Sequence, residues 1–188
     1  MKKTLITGTG RAGTTFLMHL LTAVGENTGF ALREVESELK KNGPLNAGVE
    51  HGFMSPRYQR AKYIKNPQFA IIENFKQVQP HIDKVITPIR ELGATAKSRE
   101  YMDRVTHGNY GGYWLGARNP EEQKTENAKL IYKLTQYLET QGIKHVFISF
   151  EKMRIDPVYL YRKLELSVGF LAFEEAFKSI VDPNKIRF

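Results

Sequence analysis

At 188 residues, with 28 Lys and Arg against 20 Asp and Glu, the chain is the length of about one globular domain and carries a net charge of +8, which favours anionic partners. Hydrophobic residues at 41% and charged residues at 26% suffice for a buried core and exclude wholesale disorder. Cysteine is absent, which excludes disulfides, thiolate catalysis and cysteine-ligated zinc.

The basic start Met1-Lys2-Lys3 is followed only by Leu5-Ile6 before glycines intervene, too little apolar length for a targeting signal. No stretch reaches the ~18 apolar residues of a membrane span. A soluble cytoplasmic protein is expected. Thr4 to Thr7 reads as a buried strand. Thr14 to Val24 reads as a helix, with Phe16, Leu17, Leu20, Leu21 and Val24 at spacings of three and four, stopped by Gly25. The charged stretch 31–41 reads as a second helix. Residues 42–60, with Gly43, Pro44, Gly48, Gly52 and Pro56, read mostly as loop. Tyr63-Ile64 closes a short strand ended by Pro67.

Lys84 to Ile89 is a β-branched strand, followed by a helix from about Gly93 to Val105. Residues 107–119 hold four glycines and read as an ordered loop, within which Asn109-Tyr110-Gly111-Gly112-Tyr113-Trp114 reads either as a lid or as packing anchored by Trp114. Pro120 to Gln141 is a long helix with Ile131, Leu134 and Leu138 on one stripe. His145 to Phe150 is a nearly continuous apolar strand, the pattern of a strand covered on both faces. Asp156-Pro157 starts a helix that continues through Val158, Tyr161, Leu164 and Val168, and Phe173 to Val181 forms a last one. Strands alternating with helices predict an α/β architecture around a parallel sheet, and one domain over residues 1–188 is the simplest organisation.

Between the first strand and first helix lies Gly8-Thr9-Gly10-Arg11-Ala12-Gly13-Thr14-Thr15. Glycines there let the backbone approach an anion, and the first helical amides point at it. Gly8 and Gly13 have the spacing of G-x-x-x-x-G-K-[ST], but Thr14 stands where the lysine belongs and Arg11 supplies a cation earlier. Gly8, Gly10 and Gly13 also satisfy G-x-G-x-x-G, yet no unambiguous acid follows about 20 residues on, and the Arg-Thr-Thr content suits phosphate better.

The run Thr7 to Leu17 resembles the 5′-phosphosulfate loop of sulfotransferases, whose donor is 3′-phosphoadenosine 5′-phosphosulfate. The resemblance implies a three-layer P-loop NTPase-like fold, with a central parallel sheet flanked by helices. It implies that Gly8, Gly10, Arg11, Ala12, Gly13, Thr14 and Thr15 receive the 5′-phosphosulfate. Val85 to Arg90, with Ser98 eight residues on, is similar to the family's 3′-phosphate grip, implying that role for Arg90 and Ser98; Arg99 is a further cation beside them. Tyr63 to Pro67 resembles the family strand ending in a lysine near the acceptor, here Lys65, and Phe147 to Pro157 resembles the late strand and Asp-Pro helix start.

A sulfuryl group carries less charge than a terminal phosphoryl group, so cationic and hydrogen-bonding side chains can serve its transfer without a required metal. Arg11, with Lys65, would stabilise the transferring group. The Lys-Thr-His run that supplies a histidine base in cytosolic sulfotransferases is replaced by Lys65-Asn66-Pro67. Other branches use a glutamate after the first helix, which leaves Glu50, Glu34, Glu36 and also His51 as alternatives for the base. The implied activity is sulfuryl transfer to a hydroxyl or amine of a small-molecule, carbohydrate or lipid acceptor. The rival is a P-loop nucleotide kinase or NTPase using ATP and magnesium through Thr15. The scattered basic residues argue against specific nucleic-acid binding, and oligomeric state is not encoded in any motif.

Overall fold

Among the described residues four strands, β1 (Lys3–Ile6), β2 (Tyr63–Lys65), β3 (Ile82–Ile89) and β4 (Lys144–Ser149), pair in parallel in the order β2-β1-β3-β4. The computed structural model describes residues 2–42, 48–108 and 111–181. Gly43, Pro44, Asn109 and Tyr110, singled out in the sequence, lie outside the described residues. Register pairs Ile6 with Lys65 and with Ile86, and Ile89 with Ser149. The carboxyl ends of all four strands therefore open on one edge of the sheet. The chain leaves β1 for β2 on one side and returns to β3 on the other, so the glycine loop sits where strand order reverses, the usual ligand crevice of an open α/β sheet.

Alternation along β1 sorts the core into two layers. Ile6 faces one layer with Ile86 and Ile148, packed on Leu17, Leu20 and Leu21 of α1 (Thr14–Ala23) and on Phe173 and Phe177 of a C-terminal helix (Phe170–Ile180). Leu5 faces the other layer with Ile64 and Val85, packed on Phe75, Leu130, Leu134 and Leu138. This is the three-layer α/β arrangement, a parallel sheet between helices.

The remaining helices, in chain order, are α2 (Leu32–Asn42), α3 (Pro56–Arg60), α4 (Ile72–Val78), α5 (Leu92–Thr106), α6 (Pro120–Thr140), α7 (Phe150–Met153), α8 (Pro157–Leu164) and α9 (Phe170–Ile180). Several elements differ from expectation. The stretch read as loop to residue 60 ends in α3, whose Ser55 cap accepts from the Tyr58 amide, with Pro56 at the first turn. The helix expected to run to Val168 stops at Leu164, because Glu165 turns left-handed (φ 55°). β4 is an edge strand, and within it only Ile148 is fully buried; Phe150 leaves the strand to begin α7. Among the described residues no helix is long and apolar enough to cross a membrane.

Candidate active site

The glycine loop follows Ile6 directly and is held from below by Thr7, whose hydroxyl donates to the Asn66 carbonyl at 2.8 Å. Gly8, Gly10, Arg11 and Gly13 all have positive φ, of 149°, 66°, 55° and 91°. Glycine takes this region freely, whereas Arg11 does so at a cost, a common mark of functional loops. Gly13 caps α1 in the left-handed conformation without a side-chain acceptor for the first amides. Those amides carry the positive end of the helix dipole. Ala12, Thr14 and Thr15 are buried beside them. A Cβ on Gly13 would collide with Met153 Cε and come within 3.0 Å of the Phe150 ring, so the loop lies close against α7.

Cations gather around this loop. Arg11 Nε donates to Ser98 Oγ at 3.2 Å, and Arg90 Nη1 donates to the Arg11 carbonyl at 3.2 Å. The two motifs expected to grip opposite ends of a donor thus form one contiguous cluster. Arg90 and Arg154 pack on the Phe150 ring at 4.6 and 4.9 Å. Burial lowers the pKa of Arg11, and neighbouring Arg90 lowers it further. Burial also depresses Arg90, with Arg154 adding to the effect. Arg99 is pushed down to about 10 by burial and then by Arg11, so it stays charged near neutrality. Like charges crowded in a half-buried site favour an anion among them.

On the other side of the loop stands Lys65, 1% exposed at the end of β2. Its Nζ donates to Thr15 Oγ1 at 2.9 Å, to the Gly48 carbonyl at 2.7 Å and to Glu50 Oε1 at 2.7 Å. Burial lowers its pKa, and Glu50 opposes that shift. Glu50 remains partly exposed, its side chain at 32%. It follows Val49, a buried β-branched residue held at φ 59°. A lysine therefore bridges the hydroxyl that ends the glycine loop and a solvent-reachable carboxylate.

The other candidates for the base occupy different places. Glu34 Oε2 accepts from the Ala31 amide at 2.7 Å at the start of α2, while Oε1 pairs with Arg57 of α3 at 2.9 Å, so both its oxygens are engaged in structural contacts. Glu36 is exposed on the same helix. His51 is buried, with Nδ1 accepting from the Lys65 amide at 3.1 Å and Nε2 facing the Thr28 carbonyl at 2.9 Å. Those partners require the proton on Nε2, and burial drives the pKa down to about 4, so the ring is neutral and fully engaged.

Two contributors were weakly signalled in the sequence. Arg154 reaches the cluster from the loop after α7. Trp114 does not stand free as a lid; its amide donates to Gln123 Oε1 at 2.6 Å and its ring packs beneath Arg99. Gln123 gave no motif, because a buried amide in an amphipathic helix looks like any polar residue until its partner is known.

Neither a protein-family model nor a curated protein matches the sequence. Among solved structures, the sulfotransferase domain from the Synechococcus PCC 7002 olefin synthase superposes with a TM-score of 0.52 at 12% identity, covering 98% of this chain and 82% of that one. The chain has a sulfotransferase-like fold. At that identity the likeness is one of architecture, and the chemistry rests on the side chains themselves.

Proposed function

We propose that the protein transfers a sulfuryl group from 3′-phosphoadenosine 5′-phosphosulfate to a hydroxyl or amine acceptor. The observation that carries this reading is the Lys65 bridge between Thr15 of the glycine loop and Glu50. It sets a cation and a carboxylate beside an anion-receiving loop, where a magnesium-using site would keep the threonine hydroxyl for metal. The sulfotransferase-like fold supports the same choice.

In this reading Arg11, the loop amides, Thr14 and Thr15 bind the 5′-phosphosulfate, while Arg90 and Ser98 bind the 3′-phosphate. Glu50 takes the acceptor's proton as its oxygen or nitrogen attacks sulfur. The bond from sulfur to the bridging phosphate oxygen breaks, and the electrons leave with adenosine 3′,5′-bisphosphate. Arg11 and Lys65 offset the charge that grows on the leaving oxygen and on the transferred group. Acceptors in this reading are small molecules, carbohydrates or lipid headgroups. The protein acts in the cytoplasm as one domain and requires no divalent metal.

Calorimetry tests the donor site. Adenosine 3′,5′-bisphosphate is expected to bind in the presence of a chelator. Magnesium-dependent binding of ATP without binding of the bisphosphate would overturn the reading in favour of a nucleotide kinase or NTPase.

A further inference from the structure

Behind the glycine loop lies a second layer of contacts to which the proposed mechanism assigns no step. Arg99, on α5, is 6% exposed. It donates Nη2 to the Thr9 carbonyl at 2.5 Å and Nη1 to the Gly112 carbonyl at 2.8 Å, and its guanidinium lies 4.9 Å over the Trp114 ring. One arginine thus joins the glycine loop to the segment 111–118. That segment is fastened in turn to α6. Trp114 donates its amide to Gln123, which is completely buried and passes a hydrogen bond to Asn127 Oδ1 at 3.0 Å. α6 is fixed by Leu130, Leu134 and Leu138 in the core.

Burying a guanidinium and two amides costs stability unless they are paired. Both terminal nitrogens of Arg99 and both polar ends of the Gln123 side chain are paired, which makes the connection specific, while Arg99 Nε and Asn127 Nδ2 are buried without a partner. The fit is close: a Cβ on Gly10 would stand 2.7 Å from Arg99 Nη2. Geometry also gives the connection a consequence. The peptide is planar and trans, so a Thr9 carbonyl fixed on Arg99 turns the Gly10 amide to the opposite side. Without Arg99, that peptide can flip and exchange a donor for an acceptor.

We propose that Arg99 is a positioning residue that couples the glycine loop to the Trp114 segment, with Gln123 as its anchor, so that the two segments open and close as one unit. The functional weight of this coupling rests on the glycine loop being the donor site. The coupling itself is testable without any ligand.

Amide hydrogen exchange on the full chain, followed by mass spectrometry, compares the wild type with Arg99→Lys and Gln123→Met. Both variants are expected to speed exchange about tenfold in residues 7–16 and in 111–118 together, and to leave β4 and α8 unchanged. Acceleration of 111–118 alone in Gln123→Met, or an equal rise across the whole chain, overturns the coupling. Should a variant fail to fold, native-state exchange of the wild type in low urea decides: one opening free energy and one urea slope for both segments supports it, and separate openings overturn it. Trp114 is the chain's single tryptophan, so its emission reports the segment directly. Its emission is expected to change with the same midpoint that calorimetry gives for adenosine 3′,5′-bisphosphate. Binding with unchanged emission overturns the coupling and leaves the proposed function standing. No binding at all overturns the proposed function, while the exchange comparison still decides the coupling.

Discussion

Arg11 Nε donates to Ser98 Oγ at 3.2 Å, joining residues 87 positions apart in the chain. Together with the Arg90 hydrogen bond to the Arg11 carbonyl, this makes the cationic wall of the site continuous. The wall's members differ in what they touch, and so in what their loss should do.

Arg11→Ala is expected to depress turnover at saturating donor, because it removes charge from the transferring group. Arg90→Ala is expected to weaken donor binding by roughly 1.5–3 kcal/mol, the scale of a lost charge-assisted contact. Because Arg90 also holds the Arg11 carbonyl, part of the turnover falls with it. Steady-state kinetics with donor analogues that have or lack the 3′-phosphate separate the two. Arg90→Ala should lose most of the wild-type preference for the phosphorylated analogue, and Arg11→Ala should keep it. Full preference in a folded Arg90→Ala protein sinks the assignment.

Glu50→Gln keeps an acceptor for Lys65 but removes the proposed base. Turnover should fall by about 10²–10⁴-fold, with bisphosphate affinity from calorimetry unchanged. Glu34→Gln, which alters the start of α2 and its ion pair with Arg57 of α3, should leave turnover near wild type. The reverse ranking of the two variants would transfer the base to Glu34.

His51 makes stability depend on pH. Its folded pKa of about 4 lies below the ordinary histidine value of 6.5, so between those values the unfolded chain binds more protons and folding weakens as pH falls. The stabilisation is complete above 6.5 and is lost on the way to 4, amounting to roughly 3 kcal/mol over the whole window. Urea denaturation at pH 7 and pH 5 should show a drop in the wild type that is much smaller in His51→Gln. Equal drops in both proteins would mean that carboxylates set the acid sensitivity.

Val49 and Met54 share a φ of 59° but differ in burial, at 3% and 51% exposed. Left-handed backbone costs a non-glycine residue about 1–2 kcal/mol, so Met54→Gly should gain about 0.5–1 kcal/mol after the added chain entropy. Val49→Gly should destabilise instead, because full burial of a valine is worth roughly 1.5–3 kcal/mol and outweighs the relief. Urea midpoints compare the two, and a stabilised Val49→Gly would show that its packing contributes little.

The sheet and the main helices were readable because their apolar residues repeat at periods that local geometry enforces: Leu17, Leu20 and Leu21 could only line one helix face. The glycine loop was readable for a similar reason, since its residue types answer to backbone conformation. α4 was missed because its seven residues, Ile72–Val78, span too few turns to show a period. β4 looked covered on both faces, but composition does not report that a strand lies at the edge of a sheet. Lys65 was singled out through the resemblance of Tyr63 to Pro67 to a family strand that ends in a lysine. Its bond to Glu50 could not be read, because it depends on the backbone turn at Val49 that aims the carboxylate.

The outer side of β2 bears on how this molecule meets its neighbours. Asn27 O accepts from the Tyr63 amide at 3.0 Å, His51 Nδ1 accepts from the Lys65 amide at 3.1 Å, and the His51 amide donates to the Lys65 carbonyl at 2.8 Å. Three backbone groups that a foreign strand would need, the Tyr63 amide and the Lys65 amide and carbonyl, are already taken along that border. Edge-to-edge growth of the sheet, the usual hazard of an unpaired strand, is therefore blocked there by a histidine ring and a loop. A substitution that empties the ring's place would lower more than stability: it would expose a template for association.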